Sequence, residues 1–221
     1  MSETPNGAIL QRDKETFAIV PRTPAGLLTP ELLEKIAEVS REFDIPTIKI
    51  TSGQRIALVG VRKEDVEAIW ERLGTGVGRA VEMCVHYVQA CPGTSVCRLG
   101  VRDSLRMGLE VEEMFQGVDM PAKLKFGVSG CPLCCGESYV RDIGLIGTKK
   151  GWTVTFGGNA GNRVRQGDVI IEETSREQAL AIVQRLVEYY RENGRKRERT
   201  ARLVQRVGIK AVRQGVLAAT E

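Results

Sequence analysis

Four cysteines in two closely spaced pairs constrain this chain more than any other feature of its sequence. Cys91 and Cys97 form a C-x5-C pair, and Cys131 and Cys135 form a C-x3-C pair. Glycine and proline adjoin both pairs, which is typical of loops rather than helices or strands. Four thiolates from two loops are the ligand set of a cubic 4Fe-4S cluster. The spacing therefore favours a fold that brings the two loops together around such a cluster.

Other uses of the six cysteines stay open at this point. A zinc site would be expected to show C-x2-C knuckles, and Cys131 with Cys134 is the one pair with that spacing. Disulfides are less expected in a reducing cytosol, where thiols more often serve as metal ligands, redox groups or buried side chains. A four-ligand cluster leaves Cys84 and Cys134 over, and both are predicted to be buried thiols.

The distribution of apolar residues in the sequence bears on where the protein is located in the cell. The first ten residues, MSETPNGAIL, include polar residues along most of their length and contain no long apolar run, which argues against a signal peptide. No run approaches the roughly 20 apolar residues that a membrane span requires. We therefore expect a cytoplasmic protein without a membrane segment. Its 221 residues, 42% of them hydrophobic, suffice for one large domain or two small ones.

Residues 9–75 have the pattern of a small α+β unit. Its predicted elements are a strand, a helix, two strands and a helix, at residues 16–22, 29–43, 46–51, 55–61 and 63–73. Glycines at 74, 76 and 78 then indicate a linker or a sharp turn.

Residues 76–194 form a second predicted α+β unit. It begins with a strand and a helix, at 83–88 and 98–115. Four strands are expected next, at 123–129, 143–147, 152–156 and 169–172. A long helix follows, with Thr174 and Glu177 as its predicted capping box.

Residues 195–221 are predicted to be a helical C-terminal extension, interrupted at Gly208. The stretch from Arg191 to Arg213 holds nine Lys or Arg against two Glu. We interpret it first as a solvated helix packed on its own domain. There are two alternatives: the helix docks an acidic electron-donor protein, or it wraps around a partner subunit. Nucleic acid is not expected, because no aromatic residue interleaves the charges.

Longer motifs in the second unit resemble a known family. They are CPGTSVCRLGVRDS at residues 91–104, PAKLKFGVSGCPLCC at residues 121–135 and GGNAGNR at residues 157–163. Together with TSGQR at 51–55, they are similar to the siroheme and 4Fe-4S sulfite and nitrite reductases. The chain looks like the single-copy, low-molecular-weight assimilatory-type sulfite reductases and the siroheme part of NADH-dependent nitrite reductases. The resemblance covers residues 9 to about 190. It implies a ferredoxin-like half-domain followed by an α+β siroheme and 4Fe-4S domain.

The resemblance assigns unequal roles to the paired cysteines. Cys91, Cys97, Cys131 and Cys135 match the four cluster ligands of the family. Cys135 also matches the ligand that bridges to the siroheme iron. One thiolate would then join an electron store to a macrocycle whose other face is open to substrate.

Cationic side chains are also implied, because siroheme carboxylates and the substrate are both anionic. Gln54 and Arg55 match family residues of the first unit, and Lys123 and Lys125 match a K-x-K pair that faces the substrate. Without the resemblance, alternating lysines would be interpreted as the solvent side of a strand. His86 stands near where relatives carry an arginine. It is a candidate proton donor, with a packed side chain as the alternative.

A glycine-rich segment supplies the remaining candidates. Gly158, Asn159, Asn162 and Arg163 resemble the family loop that meets siroheme carboxylates, and backbone N–H groups of such a loop can bind anions. A plain hairpin turn is the alternative interpretation.

The resemblance implies an enzyme that carries out the six-electron reduction of sulfite to sulfide or of nitrite to ammonia. Electrons would arrive from a separate donor protein such as a ferredoxin, since no G-x-G-x-x-G fingerprint for a nicotinamide or flavin is visible. A homo-oligomer is compatible with the single copy of the two units. The alternatives are a siroheme-free 4Fe-4S electron-transfer or regulatory protein, a zinc-stabilised binding module and a corrinoid-pathway monooxygenase.

Overall fold

The chain is known from a computed structural model that describes residues 4–77 and 82–218. It divides into two compact units, Met1–Glu82 and Met83–Glu221. Gly78, one of the glycines predicted to mark the change of unit, lies outside the described residues.

The first unit is an antiparallel sheet covered by two helices. Its elements within the described residues are β1 (Ala8–Leu10), β2 (Phe17–Ile19), α1 (Pro30–Glu42), β3 (Thr47–Ile50), β4 (Ile56–Val61) and α2 (Val66–Leu73). The strand order is β1-β2-β4-β3, and every pairing is antiparallel. The two helices and the sheet bury a common core around Ile19, Leu58 and Ile69.

Strand β1 was missing from the predicted order of the first unit. It has three residues, too few to display the alternation by which a strand is recognised in a sequence. Its pairing with β2 from Ala8↔Ile19 to Leu10↔Phe17 is what makes it a strand. The other elements of this unit lie where the sequence predicts them.

The second unit is a mixed sheet with helices. Its elements within the described residues are β5 (Val85–Ala90), α3 (Ser104–Phe115), β6 (Leu124–Ser129), β7 (Ile143–Thr148), β8 (Gly151–Phe156), β9 (Asp168–Thr174), α4 (Arg176–Asn193), α5 (Thr200–Val207) and α6 (Ile209–Leu217). The strands follow one another in the sheet in chain order. β5, β6 and β7 are parallel, whereas β8 and β9 are antiparallel to their neighbours.

Two helix starts in this unit differ from the prediction. Helix α3 begins at Ser104 rather than near residue 98, because the Asp103 side chain accepts the N–H of Arg106 and caps it there. Helix α4 has its capping box one residue later than predicted, at Ser175 and Gln178. Two adjacent hydroxyl residues are equally acceptable caps from the sequence. The backbone dihedral angles at the first turn decide which of them caps the helix.

The C-terminal extension packs on its own unit, in agreement with the first interpretation of its sequence. α5 and α6 are separated at Gly208, where φ is +81°, so the predicted interruption is confirmed. Leu203, Val212 and Val216 are fully buried, and both helices contact α4. Of the helices in the described part of the chain, none combines the length and the apolar character needed to cross a bilayer.

Candidate cofactor and anion site

The two cysteine loops leave the sheet at one edge. Cys91 follows directly after β5, and Cys131 comes two residues after the last residue of β6. These strands are parallel neighbours, with Ala90 opposite Val128. The carboxyl ends of parallel strands meet at the same edge of a sheet, so both loops begin side by side.

Backbone contacts join the two loops. The N–H groups of Val101 and Arg102 both donate to the carbonyl of Gly130, at 2.8 and 3.0 Å. A Cβ added at Gly130 would lie 2.7 Å from the Cα of Gly93, and Gly93 itself has φ of +56°. Glycine is required at both positions because the two backbones touch and one of them is left-handed.

The thiols at this edge differ in exposure. The Cys91 sulfur accepts the N–H of Gly130 at 3.2 Å, and hydrogen bonds of this kind orient the ligands of a metal site. Cys131 is buried, whereas Cys97 and Cys135 are exposed. All four ligands assigned by the resemblance are thus free thiols on the two joined loops.

Two exposed apolar side chains lie in the cysteine loops. Val96, next to Cys97 in sequence, is 80% exposed, and Leu133, in the second loop, is 67% exposed. Single exposed apolar residues are common on protein surfaces, so these two carry no assignment by themselves.

The arrangement of the cysteines differs from that of a site for a single metal ion. In residues 4–77 and 82–218, no three His, Cys, Asp or Glu side chains converge closely enough to hold one metal ion. In a 4Fe-4S cluster each thiolate binds a different iron, so the ligands surround the cluster without meeting at one point.

The segment after the second cysteine loop lies flat on the sheet. A Cβ at Gly127 would be 2.6 Å from the carbonyl oxygen of Gly136, and one at Gly144 would be 2.1 Å from that of Ser138. Two strand glycines therefore let residues 136–141 touch the sheet backbone. This contact fixes where the chain leaving Cys135 runs.

Arg141, at the end of that segment, connects the second cysteine loop to strand β5. It is 6% exposed, donates to the Gln89 side chain at 2.7 Å and pairs with Glu137, two residues after Cys135. Its guanidinium lies 5.7 Å from the centre of the Tyr87 ring. Arg141 lies in none of the motifs that pointed to the site. The RD dipeptide just before β7 is its one local signal, and it is weak.

The K-x-K pair lies on the same part of the sheet. Lys125 is opposite Tyr87 in the register of β5 and β6, and its ammonium group is 5.6 Å from that ring. Burial lowers the pKa of Lys125, and the nearby charges of Arg199, Arg141 and Lys123 lower it further, while Asp142 opposes them. Lys125 is therefore half-buried among cations rather than on a solvated strand face.

His86 lies in the irregular register between Val85 and Tyr87, where β5 carries one extra residue opposite β6. Its ring is edge-on to that of Tyr87, with 5.6 Å between centroids. Tyr87, the next residue in the chain, stands opposite Lys125.

The glycine-rich segment forms the loop between β8 and β9. A Cβ at Gly158 would be 2.3 Å from the Arg141 carbonyl, so this part of the loop packs on the segment that follows Cys135. Asn159 Nδ2 donates to the Arg163 carbonyl at 2.8 Å, which closes the loop on itself. Asn162 and Arg163 are exposed. The loop is a hairpin connection with one end tied to the site.

Gln54 and Arg55 lie in the first unit, in the turn between β3 and β4. Gln54 has φ of +58°, and its carbonyl accepts the Thr23 hydroxyl at 3.1 Å. The Arg55 N–H donates to Thr51 Oγ1 at 3.2 Å. The remaining predicted site residues are all in the second unit.

Family models match both units of the chain. The model described as the nitrite and sulphite reductase 4Fe-4S domain matches residues 82–221. The model of the nitrite/sulfite reductase ferredoxin-like half domain matches residues 9–75. The chain belongs to the nitrite and sulfite reductase family. The predicted resemblance and the α+β fold class, a ferredoxin-like half-domain followed by a 4Fe-4S domain, are confirmed.

Relatives in this family cover the chain to very different extents. A "Sulfite reductase, assimilatory-type" of Nitratidesulfovibrio vulgaris is 60% identical over 217 residues, which are 98% of this chain and all of the relative. A "Nitrite reductase [NAD(P)H]" of Bacillus subtilis is 39% identical over 95% of this chain but only 26% of its own length. The chain thus spans the whole of one reductase and about a quarter of another.

Two solved structures have the same fold at low identity. Dissimilatory sulfite reductase I superposes with a TM-score of 0.81 at 16% identity, covering 91% of this chain and 69% of that one. The Mycobacterium tuberculosis NirA protein superposes with a TM-score of 0.79 at 20% identity, covering 99% and 44%.

The cysteine edge fits the 4Fe-4S cluster of the nitrite and sulfite reductase family. Two loops bearing all four thiols are joined by backbone hydrogen bonds, and one sulfur already accepts a backbone N–H. The wall formed by Tyr87, Lys125 and Arg141 adds the cations that an anionic macrocycle and an anionic substrate need.

Proposed function

We propose that this protein is a siroheme-dependent reductase that converts sulfite to sulfide, with nitrite to ammonia as a second reaction. The observation that carries the proposal is the pairing of cluster-type cysteine loops with a cationic wall in the same unit. The 60% identity to an assimilatory-type sulfite reductase over that relative's full length supports sulfite as the first substrate.

Siroheme and the 4Fe-4S cluster, when bound, would supply the electrons and the iron at which the oxyanion is reduced. Cys91, Cys97 and Cys131 would hold the cluster, and Cys135 would hold both groups. The role of the chain beyond ligation is to attract the anion and deliver protons. Positive charges raise the local anion concentration in a cleft.

Lys125 is the proposed proton donor to the anion, and Lys123, two residues earlier, is proposed to assist it. A half-buried lysine whose pKa is lowered releases its proton more readily near neutral pH than a solvated one. Arg55 in the first unit and His86 on β5 stay proposed members of the catalytic set. Gln54, Gly158, Asn159, Asn162 and Arg163 stay proposed siroheme contacts.

We also propose a cytoplasmic enzyme that takes electrons from a separate protein. A reducing compartment suits six free thiols.

The test is spectroscopic and kinetic. Purified holoprotein should show strong Soret and red-region bands, together with cluster iron, and should consume reduced viologen dye when sulfite is added. Sulfide should appear with about six electrons used per sulfite. A brown spectrum without a Soret band, after expression with ample siroheme supply, would support the siroheme-free electron carrier instead. A colourless protein holding one zinc would overturn both.

A further inference from the structure

The C-terminal extension is tied to strand β6 through one buried carboxylate. Asp142 is fully buried and accepts Arg199 Nε and Nη2 at 3.1 and 2.6 Å. It also accepts the Thr200 hydroxyl at 2.5 Å. Its fourth contact is the backbone N–H of Lys125, at 2.9 Å. A charge removed from water is tolerated only with such a full set of donors.

The segment that carries Arg199 is itself held in place. The carbonyl of the preceding residue, Glu198, accepts the Tyr190 hydroxyl at 2.5 Å. The Glu198 carboxylate pairs with Arg206, and this partner lowers the pKa of Glu198 to about 2. The N–H of Arg197 donates to the carbonyl of Pro121, just before β6, at 2.7 Å. These contacts fix the backbone before Arg199 and thereby hold its side chain against Asp142.

Arg199 Nη2 and the Lys125 backbone N–H both donate to Asp142 Oδ2, so one carboxylate oxygen joins the extension to the cationic wall. Its side chain is 32% exposed, so the guanidinium is neither free in solvent nor sealed in the core. Its charge is the largest influence after burial on the pKa of Lys125, which it lowers. Asp142 acts on Lys125 in the opposite sense, while Arg141 and Lys123 act in the same sense as Arg199. Tyr87 faces Lys125 from β5.

We propose that Arg199 is a positioning residue of the anion-reducing site: anchored by Asp142, it adds a fixed positive charge beside Lys125 and braces the start of β6. The proposal rests on the proposed function, because it takes Lys125 as a group that meets the anion. It gives the C-terminal extension a part in the reaction in addition to its part in packing.

The decisive test is the pH profile of kcat/KM for sulfite in the holoenzymes of Arg199→Gln and Asp142→Asn. Loss of the Arg199 charge raises the pKa of Lys125, so the alkaline limb should move to higher pH. Loss of the Asp142 charge leaves Arg199 uncompensated, so the limb should move to lower pH. A double variant should lie between the two. A purely structural role would reduce activity in all three without opposite shifts.

A second readout separates position from charge. Arg199→Gln should raise KM for sulfite on the order of tenfold, the size expected when one charge-assisted contact is lost, with a smaller change in kcat. Arg199→Lys should recover most of that loss. Arg202→Gln, an exposed residue three positions later, is the matched control and should leave both constants unchanged.

Hydrogen exchange tests the anchor independently of activity. The Lys125 amide, protected by Asp142 in the wild type, should exchange faster in the Asp142→Asn/Arg199→Gln double variant than in the wild type or in Arg202→Gln. If Lys125→Met abolishes reduction while Arg199→Gln leaves KM and the pH profile unchanged and the double variant leaves amide exchange unchanged, the inference is wrong and the proposed function stands. If the wild type reduces neither anion, the proposed function fails and the inference falls with it.

Discussion

Two neighbouring residues, Arg141 and Asp142, organise the site at the scale of single side chains. Arg141 holds Gln89 on β5 and Glu137 in the second cysteine loop. Asp142 holds Lys125 on β6 and the start of α5. Both charged side chains are buried, and the cost of removing them from water is offset because each has several charged or hydrogen-bonding partners.

At this scale the first prediction concerns Cys135, compared with Cys134 as the control. Cys135→Ser should remove the thiolate proposed to join the two groups. We expect activity to fall by at least about a hundredfold and the visible spectrum to change. Substitutions of residues that only hydrogen-bond to metal ligands already reach losses of this size. Cys134→Ser should retain spectrum and activity, since this thiol is left over by the ligand set. Iron content and Soret absorbance of both variants are the measurements. Full activity in Cys135→Ser would remove the central assignment.

A second prediction concerns the strand glycine Gly144. An alanine there would place its Cβ 2.1 Å from the Ser138 carbonyl oxygen and 2.4 Å from Thr155 Oγ1. Backbone on one side and a packed sheet on the other leave no room to adjust. We expect a loss of about 2 to 3 kcal/mol in the free energy of unfolding, at the upper end of overpacking costs.

The control for that variant is Gly76→Ala, where an added Cβ meets nothing within 4 Å. It should change the free energy of unfolding by no more than about 0.5 kcal/mol. Denaturant titration of both variants measures the difference. Equal stabilities would mean that residues 136–141 do not rest on the sheet at Gly144.

At the scale of elements, long patterned segments were predictable and short or boundary features were not. The strand containing Lys125 and the long helix α4 follow from apolar periodicity that extends over several residues. Strand β1 and the start of α3 do not, because the first depends on pairing with β2 and the second on one cap at Asp103. Such choices are made by contacts outside the segment.

The cap of α4 provides the prediction at this scale. Ser175→Ala removes the side chain that accepts the Gln178 N–H, so we expect a loss of about 1 kcal/mol and a melting temperature lower by a few degrees. Glu177→Ala, which removes the residue predicted from sequence to complete the box, should cost less. Thermal unfolding of the two variants side by side decides between the positions. A larger loss for Glu177→Ala would favour the predicted box.

At the scale of the whole molecule, the order of the strands decides which parts of the chain meet. β5, β6 and β7 lie side by side and parallel, so the cysteine loops after β5 and β6 share an edge. The C-terminal helices then close the unit by covering α4 and reaching Asp142. The extension is therefore part of the second unit rather than an appendage to it.

Truncation after Gly194 tests this placement. The deletion removes the buried side chains of Leu203, Val212 and Val216, each worth about 1.5 to 3 kcal/mol. It also leaves Asp142 without Arg199 and Thr200. We expect lower solubility and a melting temperature well below that of the full chain, as measured by gel filtration and thermal unfolding. A truncated protein that is equally stable and changes only its oligomeric state would instead support the wrap onto a partner subunit.

By itself the sequence identified the candidate ligands, the family and most of the elements, because these depend on local spacing and on motifs within one segment. Cys91, Cys97, Cys131 and Cys135 stand out from their spacing, and Lys123 and Lys125 from one strand. Only the tertiary structure decided that Arg141, Asp142 and Arg199 belong beside them. Their roles come from hydrogen bonds across as many as 58 positions, between segments that no local pattern links. Parallel strand order and the burial of one carboxylate bring them together.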